Sequence, residues 1–233
     1  MNTQEFLRRY AAGERDFQEV NLTGVDLSGK SLQGINLRSA NLSGVNLTAT
    51  DLSQADLSHS NLNQAKMRGV HLSGAYLCEA SLIEADMREA ILDGAILDGA
   101  NLDRAELSRA SLSQADLNGA NFKNADLSKA NLSEAILDGA ALDGAVLDGA
   151  NLSRADLVVA DLTQATLSET NLNEANLRGA NLDGANLNGA DLVVADLTQV
   201  NLSEANLNEA NLSGANLDGA TLDGTILDEN KNG

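Results

Sequence analysis

Proline is absent from all 233 residues, so no fixed φ or missing N–H interrupts the chain, and nothing in it reads as a linker between domains. The single cysteine, Cys78, excludes an internal disulfide and gives no sign of an oxidising compartment, so a cytoplasmic location is expected. Only two histidines are present, His59 and His71. His59 with neighbouring Cys78 and Glu79 offers three ligands and no second Cys or His, which is a poor zinc site. No nucleophile, base and orienting acid converge at any spacing, so neither catalysis nor a cofactor is expected. Long apolar runs are missing too: there is no signal-peptide core after a basic start and no stretch near the ~20 apolar residues of a membrane span. Basic residues are scarce, 15 against 34 acids for a formal charge of -19. That surface repels nucleic acid and anionic membranes, which require Lys/Arg patches.

What the chain does have is a period of five. A large apolar residue stands at every fifth position from Phe17 to Leu227, 43 consecutive words without insertion or deletion. All are Leu except Phe17, Met67, Met87 and Phe122. This period fits neither the 3.6 of an amphipathic helix nor the 2.0 of a strand; one long helix would smear the leucines round its circumference. If each word instead forms one short side of a coil and then turns, every central Leu can point to a common axis, together with the small residue two places before it. The result is an all-β solenoid.

Words such as Ala130-Asn131-Leu132-Ser133-Glu134 and Ala180-Asn181-Leu182-Asp183-Gly184 resemble the pentapeptide-repeat family, whose motif is Ala-(Asp/Asn)-Leu-X-X. The resemblance covers about nine-tenths of the chain. It implies a right-handed quadrilateral β-helix with four words per coil, about 11 coils for this length. The opening from Glu5 to Phe17 is similar to cyanobacterial members, most of which have no assigned role.

In order along the chain, residues 1–16 lack the repeat and read as a short capping α-helix, with Asn2 or Thr3 as N-cap and Gly13 at the C-terminal cap. Phe6, Leu7 and Tyr10 share one face and are expected to lid the open end of the solenoid. Residues 17–229 form the β-helix, and 230–233 a frayed polar tail. From Val20 to Thr50 the inward small position is untidy, and Lys30 stands there; its stem is expected to carry the ammonium to water from an irregular coil. From Ala75 to Ala165 the position is always Ala. Eighteen of the 20 glycines end a word, where a type II corner requires positive φ; words ending in Glu, Arg or Gln are expected to turn otherwise. Ala155 to Gln164 recurs at Ala190 to Gln199, seven words on, so with four words per coil the copy lands on a different face.

With residues 20 apart stacked, one outward column carries three successive carboxylates, Asp86, Glu106 and Asp126, with Lys66 one coil earlier. Like charges at strand spacing repel; Arg88, Arg104, Arg109 and Lys129 in neighbouring words are expected to neutralise them as a surface ion network. On another side Tyr76 and Ile96, followed by Ile136, Val158 and Val159, form the best contact strip. The nine-residue calcium-roll pattern does not occur, and Thr is too scattered for an ice-binding array.

The expected function is a non-catalytic acidic scaffold for an unknown protein partner, monomeric or joined end to end as a homodimer. No direct nucleic-acid or membrane binding is expected. The alternative follows from the resemblance, since quinolone-resistance members resemble B-DNA and occupy the DNA-binding saddle of type II topoisomerases. Residues 16–227 carry a net -19, one charge per ~2.6 Å over a rod of roughly 50 Å, against ~1.7 Å for B-DNA. Those relatives, however, commonly have Phe at many central positions and a C-terminal dimerisation segment. Here the central Phe residues are Phe17 and Phe122 alone, and no such segment is present.

Overall fold

A computed structural model describes residues 3–227; the expected N-cap candidate Asn2 and the tail at 230–233 lie outside this range. One helix, α1 (Thr3–Ala11), precedes the repeat, and every residue one place before a central Leu then forms a parallel bridge to the residue 20 positions on, from Asp16↔Asn36 to Asn206↔Ile226. Four five-residue words therefore complete one coil. Words stack on four faces, named here first to fourth by the words that begin at Arg15, Val20, Val25 and Lys30.

Each word settles its five backbone N–H groups in a fixed way, as residues 55–59 illustrate. The Asp56 N–H donates to the coil before, at Ile35 O (2.9 Å), while Leu57 and His59 donate to the coil after, at Tyr76 O (2.7 Å) and Cys78 O (2.9 Å). At the following corner Ser60 N–H returns to Leu57 O (3.1 Å). That leaves the N–H of the fourth residue, and the side chain of the second takes it: Ser58 N–H donates to Asp56 Oδ1 at 2.9 Å. An Asn or Asp at the second place thus satisfies a donor that the coil cannot, which is the physical reason for its recurrence. Where the second place is not Asn or Asp, the coil below can supply the acceptor. Ile83 N–H reaches Asn63 Oδ1 at 3.0 Å and Ser168 N–H reaches Asp148 Oδ1 at 2.9 Å.

The corners correct one expectation. Words ending in Glu, Arg or Gln do not turn differently from those ending in Gly. Glu79 (φ 53°), Arg109 (φ 61°), Gln164 (φ 57°) and even Val159 (φ 50°) occupy the same left-handed region as Gly99 (φ 62°). The coil's hydrogen bonds override residue preference: the N–H of that last residue is held by the next coil in Glu and Gly words alike, at 2.9 Å for both Glu79 and Gly99. The left-handed conformation costs an L residue roughly 1–2 kcal/mol, and glycine avoids it.

The central residues from Leu22 to Leu207 are buried, with the inward alanines packed between them. Inward threonines at Thr50 and Thr170 satisfy their hydroxyls on Leu27 O (2.8 Å) and Leu147 O (2.9 Å). The first coil is looser, as its sequence indicates: Val20 and Val25 are half-buried and Lys30 is exposed. Over this end lies α1, shorter than the residues assigned to it from sequence. Gly13 ends it at φ 96°, with Gly13 N–H on Tyr10 O and Glu14 N–H on Arg9 O, the bond pair of a Schellman cap. Phe6 is buried with its ring 4.7 Å from that of Phe17, and the Tyr10 hydroxyl donates to Gln33 O at 3.1 Å. Arg9 extends over the Phe17 ring and pairs with Glu14. At the other end of the described residues Leu222 and Leu227 are 43% and 41% exposed.

Candidate functional site

Two outward columns on opposite sides of the coil hold the residues singled out from sequence. On the first face, Asp56, Tyr76, Ile96, Asp116, Ile136 and Asp156 follow one another through successive bridges. Tyr76 is 48% exposed, Ile136 42% and Val159 59%, whereas Ile96 and Val158 are half-buried. Asp116 interrupts the apolar run between Ile96 and Ile136 and accepts the Asn118 N–H at 3.2 Å. The strip therefore consists of the pair Tyr76 and Ile96 and the trio Ile136, Val158 and Val159 on either side of a carboxylate. At its lower end a recess of about 450 Å³ is lined by Ile35, Arg38, Asp56, Tyr76 and Cys78 among others. Burial pushes the Cys78 thiol up, with Asp98 adding to it, so this sulfur is a weak nucleophile. Beside it His59 Nδ1 lies 3.2 Å from Glu79 Oε2, and no group of three or more His, Cys, Asp or Glu among the described residues is placed to hold a metal.

The second near-copy of this word lands on another face. Val159 stands on the first face beside Gly179, and Val194, equally exposed, on the fourth beside Gly214. An exposed valine in the left-handed region is an outlier for a β-branched side chain. Its appearance on two faces ties it to copying of the word.

On the third face Lys66, Asp86, Glu106 and Asp126 are bridged in sequence. Neutralisation of the carboxylates is more selective than their sequence neighbours suggested. Arg88 carries it, with Nη2 2.7 Å from Asp86 Oδ2 and Nε 3.1 Å from Glu106 Oε2. The Arg88 guanidinium, donating through two nitrogens, holds the Asp86 carboxyl below the usual carboxylate range. Asp126 instead accepts the Ser128 N–H at 2.9 Å. Arg104 turns to the second face, onto Asp103 (2.9 Å) and Glu84 (3.7 Å). Arg109 and Lys129 make no ion pair among the described residues. Sequence reasoning missed the depression these two residues help to line, with Arg68, Arg88, Ser108 and Ser128. Its signal was available in the fourth place of stacked words, where two arginines are followed by two serines.

Asn ladders supplement the backbone on the other faces. Asn171 Nδ2 donates to Asn151 Oδ1 and Asn151 Nδ2 to Asn131 Oδ1, each at 3.1 Å. No helix among the described residues is long and apolar enough to cross a membrane.

Comparison with known proteins places this geometry. The family model of pentapeptide repeats matches residues 16–54, 55–94, 92–124, 125–158, 160–193 and 195–229. The 2.0 Å crystal structure of HetL, a pentapeptide repeat protein involved in heterocyst differentiation regulation from the cyanobacterium Nostoc sp. strain PCC 7120, is similar. It is 40% identical, with a TM-score of 0.69 over 98% of each chain. QnrB1, a plasmid-mediated fluoroquinolone resistance protein solved after trypsin treatment, shares the fold at 18% identity. Its TM-score is 0.59 over 91% of each chain. No curated relative matches this chain.

Proposed function

Because the chain belongs to the pentapeptide-repeat family, we propose that it acts as a rigid, non-catalytic scaffold that binds a protein partner, in the cytoplasm. The observation that carries this reading is the half-exposed apolar set Tyr76, Ile136 and Val159 gathered on one face of the rod. Side chains of this kind, held on a stiff backbone, bind at little entropic cost. HetL's part in regulating differentiation supports a regulatory partner. About eleven right-handed coils and an end-to-end homodimer belong to the same reading. The half-exposed Leu222 and Leu227 support the homodimer.

Replacing Ile136 and Val159 together by Lys tests it. Both are surface positions, so the circular dichroism spectrum stays that of the wild type while recovery of the partner in a pull-down falls. Undiminished recovery overturns the strip.

A second reading, mimicry of DNA toward a type II topoisomerase, is favoured by the uneven charge. The first face alone holds ten acids against three bases between Arg15 and Asp218. A gyrase supercoiling assay separates the two: the scaffold reading expects no effect at stoichiometric protein, and inhibition or protection there selects mimicry.

A further inference from the structure

In a chain of charge -19, cations are concentrated in one place. Lys66, Arg68, Arg88, Arg109 and Lys129 occupy four successive coils of the third face, against Asp86, Glu89, Glu106 and Asp126. Five positive charges face four negative ones, and the negative ones are engaged. Arg68 Nη2 lies 2.7 Å from Glu89 Oε1, Arg88 holds Asp86 and Glu106, and Asp126 accepts a backbone N–H. Arg109 and Lys129 keep uncommitted charges.

Shape follows from the stacking. In the fourth place of these words Arg68 and Arg88 are followed by Ser108 and Ser128, so two long side chains give way to two short ones. In the fifth place the left-handed corners of Arg109 (φ 61°) and Lys129 (φ 58°) stand beside the serines. The result is a recess of about 300 Å³ lined by these six residues and Glu89, the lower end of the range for small-molecule sites.

We propose that this recess binds a phosphate monoester group, on a small molecule or on a phosphorylated side chain. Its available groups are donors: one guanidinium, one ammonium and two serine hydroxyls, set on different coils and so converging from different directions. A planar carboxylate is served by a single Arg fork, as Asp86 is by Arg88. A doubly charged group with three terminal oxygens uses donors spread over two coils. The acidic rest of the rod opposes approach only within a Debye length of about 8 Å at physiological salt, so local cations decide the binding. This inference is independent of the apolar strip, which lies on the opposite side of the coil.

Isothermal titration at constant ionic strength tests it with three probes: inorganic phosphate, a phosphoserine peptide, and acetate. Phosphate or the phosphopeptide binds saturably and acetate does not. The tighter of the two binders identifies whether the group arrives on a small ligand or on a protein. Arg109→Gln with Lys129→Gln weakens that binding by about tenfold or more, since Gln already serves the same corner at Gln114 (φ 58°) and the fold is kept. Arg104→Gln, on the neighbouring face, leaves it unchanged. Equal titration of wild type and double variant, equal response to acetate, or no saturable binding overturns the proposal.

Discussion

At the scale of the residue, the second place of each word carries more than the motif suggests. Asn151 accepts the Ser153 N–H (3.1 Å), donates to Asn131 and accepts from Asn171. Asn151→Ala therefore orphans a backbone donor and breaks a ladder, and is expected to cost about 1–3 kcal/mol in urea unfolding; an unchanged midpoint contradicts the assignment. At the corners the sign reverses. Val194 stands at φ 60°, so Val194→Gly relieves left-handed strain and is expected to raise stability by about 1 kcal/mol. A fall would show that the side chain contributes more than its backbone costs.

Charge adds a pH dependence. The Thr198 hydroxyl and N–H both donate to Asp196 and lower its pKa. A carboxyl depressed on folding stabilises the protein fully above its unfolded pKa of about 3.9, and that contribution is lost as pH falls through the folded value. Asp196→Asn keeps the acceptor and removes the titration, so its stability declines less steeply than the wild type's below about pH 4. Parallel declines would rule the linkage out.

These residue-scale effects mark where sequence reasoning stopped. The inward Leu was legible because burial follows position in the word, and the exposed Lys30 because an unpaired ammonium is costly to bury and its stem can reach water. The uniform corner was not, because glycine preference reads local cost, whereas the inter-coil bonds at Glu79 and Arg109 are tertiary and override it. Likewise Arg104 could be placed near the acidic column by number, but only side-chain geometry showed that it turns to Asp103.

At the scale of the element, α1 is held by few residues. Phe6 is its one buried side chain, resting on Phe17, and the Schellman bonds at Gly13 set the angle at which the chain enters the first coil. Phe6→Ala is expected to cost about 3–5 kcal/mol of local stability. Hydrogen exchange would show it as lost protection in the first coil, while the coils around Leu142 keep theirs. Uniform loss along the rod would mean instead that the solenoid unfolds as one unit. The helix was readable from Phe6, Leu7 and Tyr10 on one face, and its end from Gly13, which the sequence places at the C-terminal cap and which stands there at φ 96° in the Schellman bonds.

For the whole molecule, the four-word coil turns a one-dimensional pattern into columns, and every candidate surface depends on it. The strip from Tyr76 to Val159, the carboxylates neutralised by Arg88 and the recess between Arg109 and Lys129 each join residues 20 apart. The same rule places the two valine-rich copies on different faces. These columns were legible once the coil size was supplied by resemblance; the interruption at Asp116 was written in the sequence as well, yet its weight became apparent only beside the exposure of its neighbours.

Pairwise cross-linking in a Cys78→Ser background tests the coil directly. Ser111 and Asn131 are bridged neighbours, within the ~4.4–6.8 Å Cα separation that a disulfide spans, whereas Ser111 and Asp126 lie on different faces. Ser111→Cys with Asn131→Cys is expected to oxidise to an intramolecular disulfide, and Ser111→Cys with Asp126→Cys to stay reduced. Cross-linking of the second pair in place of the first would contradict the coil and every surface built on it.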